Sequence, residues 1–159
     1  MTDETDDTGI AHREVMHLAV PAARVHEFVM TPERILDYYP EPIEGGVFEA
    51  GRSFWCRGAM GVSMLERTDA STADCTVVLV TTAVGLEPPY TPDAIRAAGT
   101  ITMVEEWAVA ADGDGSVLTK TWRDVMAGGE PSPPLAEIVR DAAKHESSAL
   151  IAGWNAAAG

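Results

Sequence analysis

The chain has 159 residues, 46% of them apolar, and 25 acidic against 11 basic side chains give it a formal net charge of −14. Such a surface repels phosphate backbones and anionic lipids, which argues against nucleic acid and membrane as partners. No apolar run approaches the ~20 residues of a membrane helix. The length suits one domain that buries about two thirds of its unfolded surface without staples.

The first nine residues form an acidic, weakly hydrophobic tail expected to be disordered, leaving 10–159 as one domain. That tail is not a secretory leader, and Cys56 and Cys75 fall on separate expected strands without metal-ligand spacing. Reduced thiols and a cytoplasmic location are therefore expected.

Residues 11–20 place His12, Glu14, Met16, Leu18 and Val20 on one face of a half-buried strand. Pro21 opens a helix in which Val25, Phe28 and Val29 recur at helical spacing. Thr31 and Pro32 are the cap and first residue of a second short helix. It buries Ile35, Leu36 and Tyr39 and stops before Pro40.

Strands are then expected over 47–50, 53–57, 62–68 and 75–84, with Gly51, Gly58, Gly61 and residues 69–74 as breaks. Residues 100–110 and 117–125 form the clearest hairpin, turned by Asp112-Gly113-Asp114-Gly115. The connection from Gly85 to Gly99 is long for a compact domain and reads as a candidate lid. Ser132 caps a final long helix whose stripe is Leu135, Ile138, Val139, Ala142, Ala149, Leu150, Gly153 and Trp154, with His145 and Glu146 in its middle.

This order is one strand, two short helices, six more antiparallel strands and a long C-terminal helix. It resembles the START-like (SRPBCC) superfamily, in particular its polyketide cyclase/dehydrase branch. The likeness is best from Leu18 to Val29, where an apolar–Pro–Ala–Val passage leads from first strand to first helix. It extends to Thr31–Leu36 with Tyr39-Pro40, to Gly51-Arg52-Ser53-Phe54 and to the Val117–Trp122 strand, and covers about residues 10–156. The Gly85–Gly99 segment departs from it. The resemblance implies an α+β helix-grip fold, with about seven curved antiparallel strands around the last helix and a hydrophobic tunnel between them. Functions on that fold range from aromatase/cyclase to lipid carrier, and the fold does not choose among them.

Several residues could carry chemistry. Glu105 shares its strand face with Ile101, Met103, Trp107 and Val109; on a concave, apolar face it would be a usable acid or base, and on a twisted or bulged strand a solvated one. Arg57 would steady an oxyanion if it pointed inward, but the alternation of its strand leaves the inner face open, as it does for Arg123 against Lys120, Trp122 and Asp124. His145 is the proton carrier its titration range suggests, unless it faces solvent. Tyr38, Tyr39, Trp55, Trp107, Trp122 and Trp154, with Met64 and Met103, are the candidate ligand-lining set, and core packing accounts equally well for any one of them.

His12, His17 and His26 have no ligand spacing, so neither metal nor cofactor is expected. Three functions stay open: a cofactor-independent cyclase/dehydratase acting on an apolar or aromatic intermediate, a carrier or sensor of a hydrophobic small molecule, and a co-chaperone-like interaction module. The protein is expected as a monomer or homodimer. An enzyme needs two or more polar side chains aimed at one apolar volume; a carrier does not.

Overall fold

Residues 9–59 and 61–158 are described by a computed structural model; the acidic segment 1–8 lies outside the described residues. Gly9, grouped with that tail in the sequence, accepts a hydrogen bond at its carbonyl from the Asp124 amide at 2.9 Å. In chain order the elements are β1 (Ile10–Leu18), α1 (Ala22–Val29), α2 (Pro32–Leu36), β2 (Pro42–Glu49), β3 (Ser53–Gly58), β4 (Gly61–Arg67), β5 (Cys75–Val84), α3 (Pro92–Ala98), β6 (Ile101–Asp112), β7 (Gly115–Ala127), β8 (Glu130–Pro131) and α4 (Pro133–Ala158).

The strands form one antiparallel sheet in the order β1-β7-β6-β5-β4-β3-β2, with the two-residue β8 added to β7. Meander connections explain the order: β2 to β7 each pair with the next strand in sequence, and only β1 crosses to pair with β7. Register shifts in the β1–β7, β2–β3 and β6–β7 ladders bend the strands, as an extra residue on one side of a ladder does. The expected helix-grip architecture is the one observed. β2 begins at Pro42, five residues earlier than alternation suggested, because the Gly45-Gly46 pair gave that stretch no apolar signal.

Residues directly opposed in an antiparallel ladder share a face, so register identifies the inner side. Val78, Glu105 and Trp122 lie in one row across β5, β6 and β7, and Thr76, Trp107 and Lys120 in the next. Leu65 and Phe54 continue the row of Val80, while Ser63 and Cys56 continue that of Thr82. This concave face packs on α1, α2 and α4. Trp107 stacks on Trp154 of α4 with centroids 5.6 Å apart and an angle of 14°, and Phe28 of α1 meets Trp154 edge-on at 5.4 Å. Trp154 Nε1 donates to the Arg34 carbonyl at 2.8 Å, tying α4 to α2. The approach is close: a Cβ on Gly153 would stand 2.9 Å from Asp37 Cβ.

The buried stripe of α4 keeps Leu150 and Trp154 of the one the sequence suggested and differs from it along the rest of the helix. Ala143, Ser147, Leu150 and Trp154 are buried, whereas Ile138, Ala142 and Ala149 are exposed. Small residues occupy the inward line because the helix lies close over β1 and β7, and hydrophobicity alone did not mark them.

The Gly85–Gly99 segment is not a lid over the tunnel. Thr91 caps α3 by accepting the Ala94 amide at 3.1 Å, and α3 packs on the convex side of the sheet. Its fully buried Ile95 joins Val62, Met64 and Ala83 in a separate apolar cluster, flanked by Trp55 and Tyr90 with ring centroids 4.8 Å apart. The segment covers the outside of β4 and β5, burying apolar side chains that would otherwise meet water.

Candidate functional site

Because α4 crosses over β1 and β7, it leaves part of the concave face over β4, β5 and β6 uncovered. The space remaining is a cavity of about 420 Å³, within the range of small-molecule sites. The sheet contributes Leu65, Val80, Met103 and Trp122 to its wall, α2 contributes Ile35, and α4 contributes Val139 and Ala142. Its rim is made by the end of α2 (Tyr39, Pro40 and Glu41) and by the β3–β4 turn. Those two segments touch at Gly58, where a Cβ would lie 2.5 Å from the Pro40 carbonyl oxygen, so only glycine fits.

Polar groups reach this apolar volume at two places. On one side the Tyr39 hydroxyl, Ser63 Oγ and Thr82 Oγ1 form a chain with spacings of 3.0 and 2.8 Å. On the other, Glu105 from β6 and Glu146 from α4 both border the cavity, with side chains only 7% and 12% exposed. Between them, completely buried, is Lys120 of β7. Its Nζ donates to Glu146 Oε1 at 2.9 Å and lies 3.7 Å from Glu105 Oε2. The remaining surroundings of the ammonium are ring faces, with centroids at 4.1 Å for Trp107, 4.3 Å for Trp122 and 4.7 Å for Tyr38.

One ammonium thus serves two carboxylates. Among the described residues no donor reaches Glu105 Oε1 and no acceptor reaches Trp107 Nε1, though Trp107 does not line the cavity. Burial lifts the Glu146 carboxyl above its ordinary range and Glu105 adds to the lift, while Lys120 and, more weakly, His12 of β1 oppose it. Glu146 is therefore biased toward its protonated form. Burial, then Glu105 and Glu146, push the Tyr38 hydroxyl well up, and burial raises Tyr39 against its bond to Ser63; both stay neutral donors.

Of the sequence candidates, Glu105, Tyr38, Tyr39, Met103 and Trp122 meet at the cavity. Trp107 and Trp154 lie in the concave core beside it and do not line it. Trp55, Met64 and Arg57 are on the convex side: Trp55 against Tyr90, Met64 beneath α3, and Arg57 bonded to Glu44 at 2.8 Å. Their strands are apolar on both faces because both are covered, so alternation could not orient them. His145 is exposed on the outer side of α4, and its neighbour Glu146 takes the inward position. Lys120 and Glu146 are the residues sequence reasoning passed over. The available signal was a lysine in the same strand phase as Leu118 and Trp122, on a strand where that phase is apolar.

No protein-family profile and no curated protein matches the chain. Solved structures do. A START superfamily protein from Mycobacterium smegmatis aligns over 92% of this chain and 95% of its own, at 11% identity and a TM-score of 0.58. Protein Ms6760, also from Mycobacterium smegmatis, aligns over 92% and 89% at 14% identity and TM-score 0.61. Ara h 8.0201 aligns over 89% and 94% at 13% identity and TM-score 0.57. The chain has the START-like (SRPBCC) helix-grip fold. Among its described residues, no helix is long and apolar enough to cross a membrane.

Proposed function

We propose that the protein binds an apolar or aromatic small molecule in the cavity and carries out cofactor-independent acid/base chemistry on it, of the polyketide cyclase/dehydrase type. The observation that carries this reading is the convergence of Glu105 and Glu146, from sheet and helix, on one apolar volume that Tyr39 also borders. A packing core has no use for two carboxylates there, since each costs desolvation that one lysine only partly offsets.

Glu146 moves the proton. Raised above its usual range, it gives a proton to a developing alkoxide or leaving hydroxyl and takes one back from carbon in the following step. Glu105 holds the donor group of the ligand. The Tyr39 hydroxyl, backed by Ser63 and Thr82, steadies the oxygen of an enolate. Of the two oxyanion candidates in the sequence, Arg57 or a tyrosine hydroxyl, this reading takes the tyrosine, and it gives Glu146 the proton expected of Glu105 or His145. Enclosure supplies orientation, which lowers barriers by up to several kcal/mol.

The test uses N-phenylnaphthylamine fluorescence to read cavity binding, and an aryl poly-β-ketone whose ring closure and water loss are followed by absorbance. Wild type binds the probe and accelerates the reaction; Glu146→Gln binds equally well and loses most of the acceleration. Binding without acceleration in wild type would leave a carrier in place of an enzyme. Absence of probe binding would remove the ligand cavity altogether.

A further inference from the structure

The wall of the cavity is charged with one sign only. Its ionisable carboxylates are Glu41 at the rim and Glu105 and Glu146 inside; among the described residues, no lysine, arginine or histidine borders it. Lys120, the cation of the cluster, lies behind that wall, hydrogen-bonded to Glu146, 3.7 Å from Glu105 Oε2 and packed on three ring faces. Glu105 is 95% buried as a residue, and among the described residues its Oε1 has no donor, although buried carboxylate oxygens are ordinarily paired. The surrounding surface is apolar and aromatic, from Tyr38, Met103 and Trp122.

From these features we infer that the ligand is an organic cation: an apolar, ring-bearing body carrying a protonated amine that donates to Glu105. This rests on the ligand-cavity reading above and names its substrate class. The amine supplies the donor that Glu105 Oε1 lacks. The rings of Tyr38 and Trp122 in the wall suit the apolar, ring-bearing body of such a ligand. A net charge of −14, with Glu41 at the mouth, draws such a ligand in and disfavours a carboxylate of the same shape. With Glu105 engaged by the ammonium, Glu146 remains the group that moves the proton.

The experiment compares naphthylethylamine, naphthylethanol and naphthylacetate, of like shape and different charge, as competitors of N-phenylnaphthylamine at neutral pH. A charge-assisted bond to a buried carboxylate makes the amine bind about tenfold or more tighter than the alcohol, with the acetate weakest. Glu105→Gln removes that preference by weakening the amine far more than the alcohol, and a far-ultraviolet circular dichroism melt reports that the variant is folded. Glu41→Gln, an exposed change, slows association of the amine and lessens its salt dependence without affecting the alcohol. Equal affinities for amine and alcohol, or equal weakening of both by Glu105→Gln, would overturn the inference and leave the cavity reading intact. Failure of all three compounds and of the probe to bind would overturn both.

Discussion

Replacing Lys120 by methionine tests the electrostatic core of the site. Methionine keeps the apolar stem among Tyr38, Trp107 and Trp122 but deletes the ammonium that pairs with Glu105 and Glu146. Those side chains are 7% and 12% exposed, so water replaces it only in part. Breaking a buried pair by removing one partner costs about 3–5 kcal/mol, because the partner left behind stays buried and uncompensated. For a chain of this size each kcal/mol is worth roughly 2–4 °C, giving a fall in Tm of roughly 6–20 °C at neutral pH. Thermal melts followed by far-ultraviolet circular dichroism measure it. Adding Glu146→Gln to Lys120→Met recovers much of the loss, and the triple variant with Glu105→Gln returns close to wild type or above it. Acidification also narrows the deficit, since protonation discharges the stranded carboxylates. If Lys120→Met melts within about 2 °C of wild type, or the triple variant melts below the single one, the buried-cluster argument is refuted.

Other consequences can be checked independently. Ile95→Ala, under α3, costs about 2–5 kcal/mol in denaturant melts and leaves probe affinity unchanged; weakened binding would contradict the placement of that segment outside the cavity. The Cys56 thiol is fully buried and pushed up to about 12, while Cys75 is raised and half-buried. In the native protein an aromatic disulfide reagent should react slowly with one thiol, Cys75, and reach Cys56 only on unfolding. Simultaneous reaction of both would be inconsistent with the packing.

Glu146 also makes a pH prediction. Facing Glu105, Lys120, His12 and Tyr38, its carboxyl is raised in the fold, so the folded state retains a proton that the unfolded chain releases. Its contribution to stability is therefore fully present on the acid side and is lost as pH rises from the ordinary carboxylate range through the raised one. Subtracting the Glu146→Gln pH–stability profile from that of wild type should show this decline, and a flat or rising difference would contradict it.

The sequence by itself determined the order and kind of the elements. Proline and threonine punctuation placed α1 and α2, the Asp-Gly repeat turned β6 into β7, and strict alternation along β6 set Glu105 beside Met103 and Trp107. These are local signals, written in neighbouring residues. It also determined the acidity that the cavity wall shares.

Tertiary structure alone decided which faces are inside. On β3 and β4 apolar residues fall on both faces, because the segment around α3 packs on one and α2 with the cavity lies on the other, so Trp55, Met64 and Arg57 had no orientation until the sheet was assembled. On α4, a close approach to β1 and β7 chose alanine and serine for the inward line and turned Glu146 in and His145 out. Lys120 and Glu146 lie 26 residues apart and meet only when helix and sheet close on each other. Periodicity along a chain tells which residues travel together; what lies across from them is settled by packing.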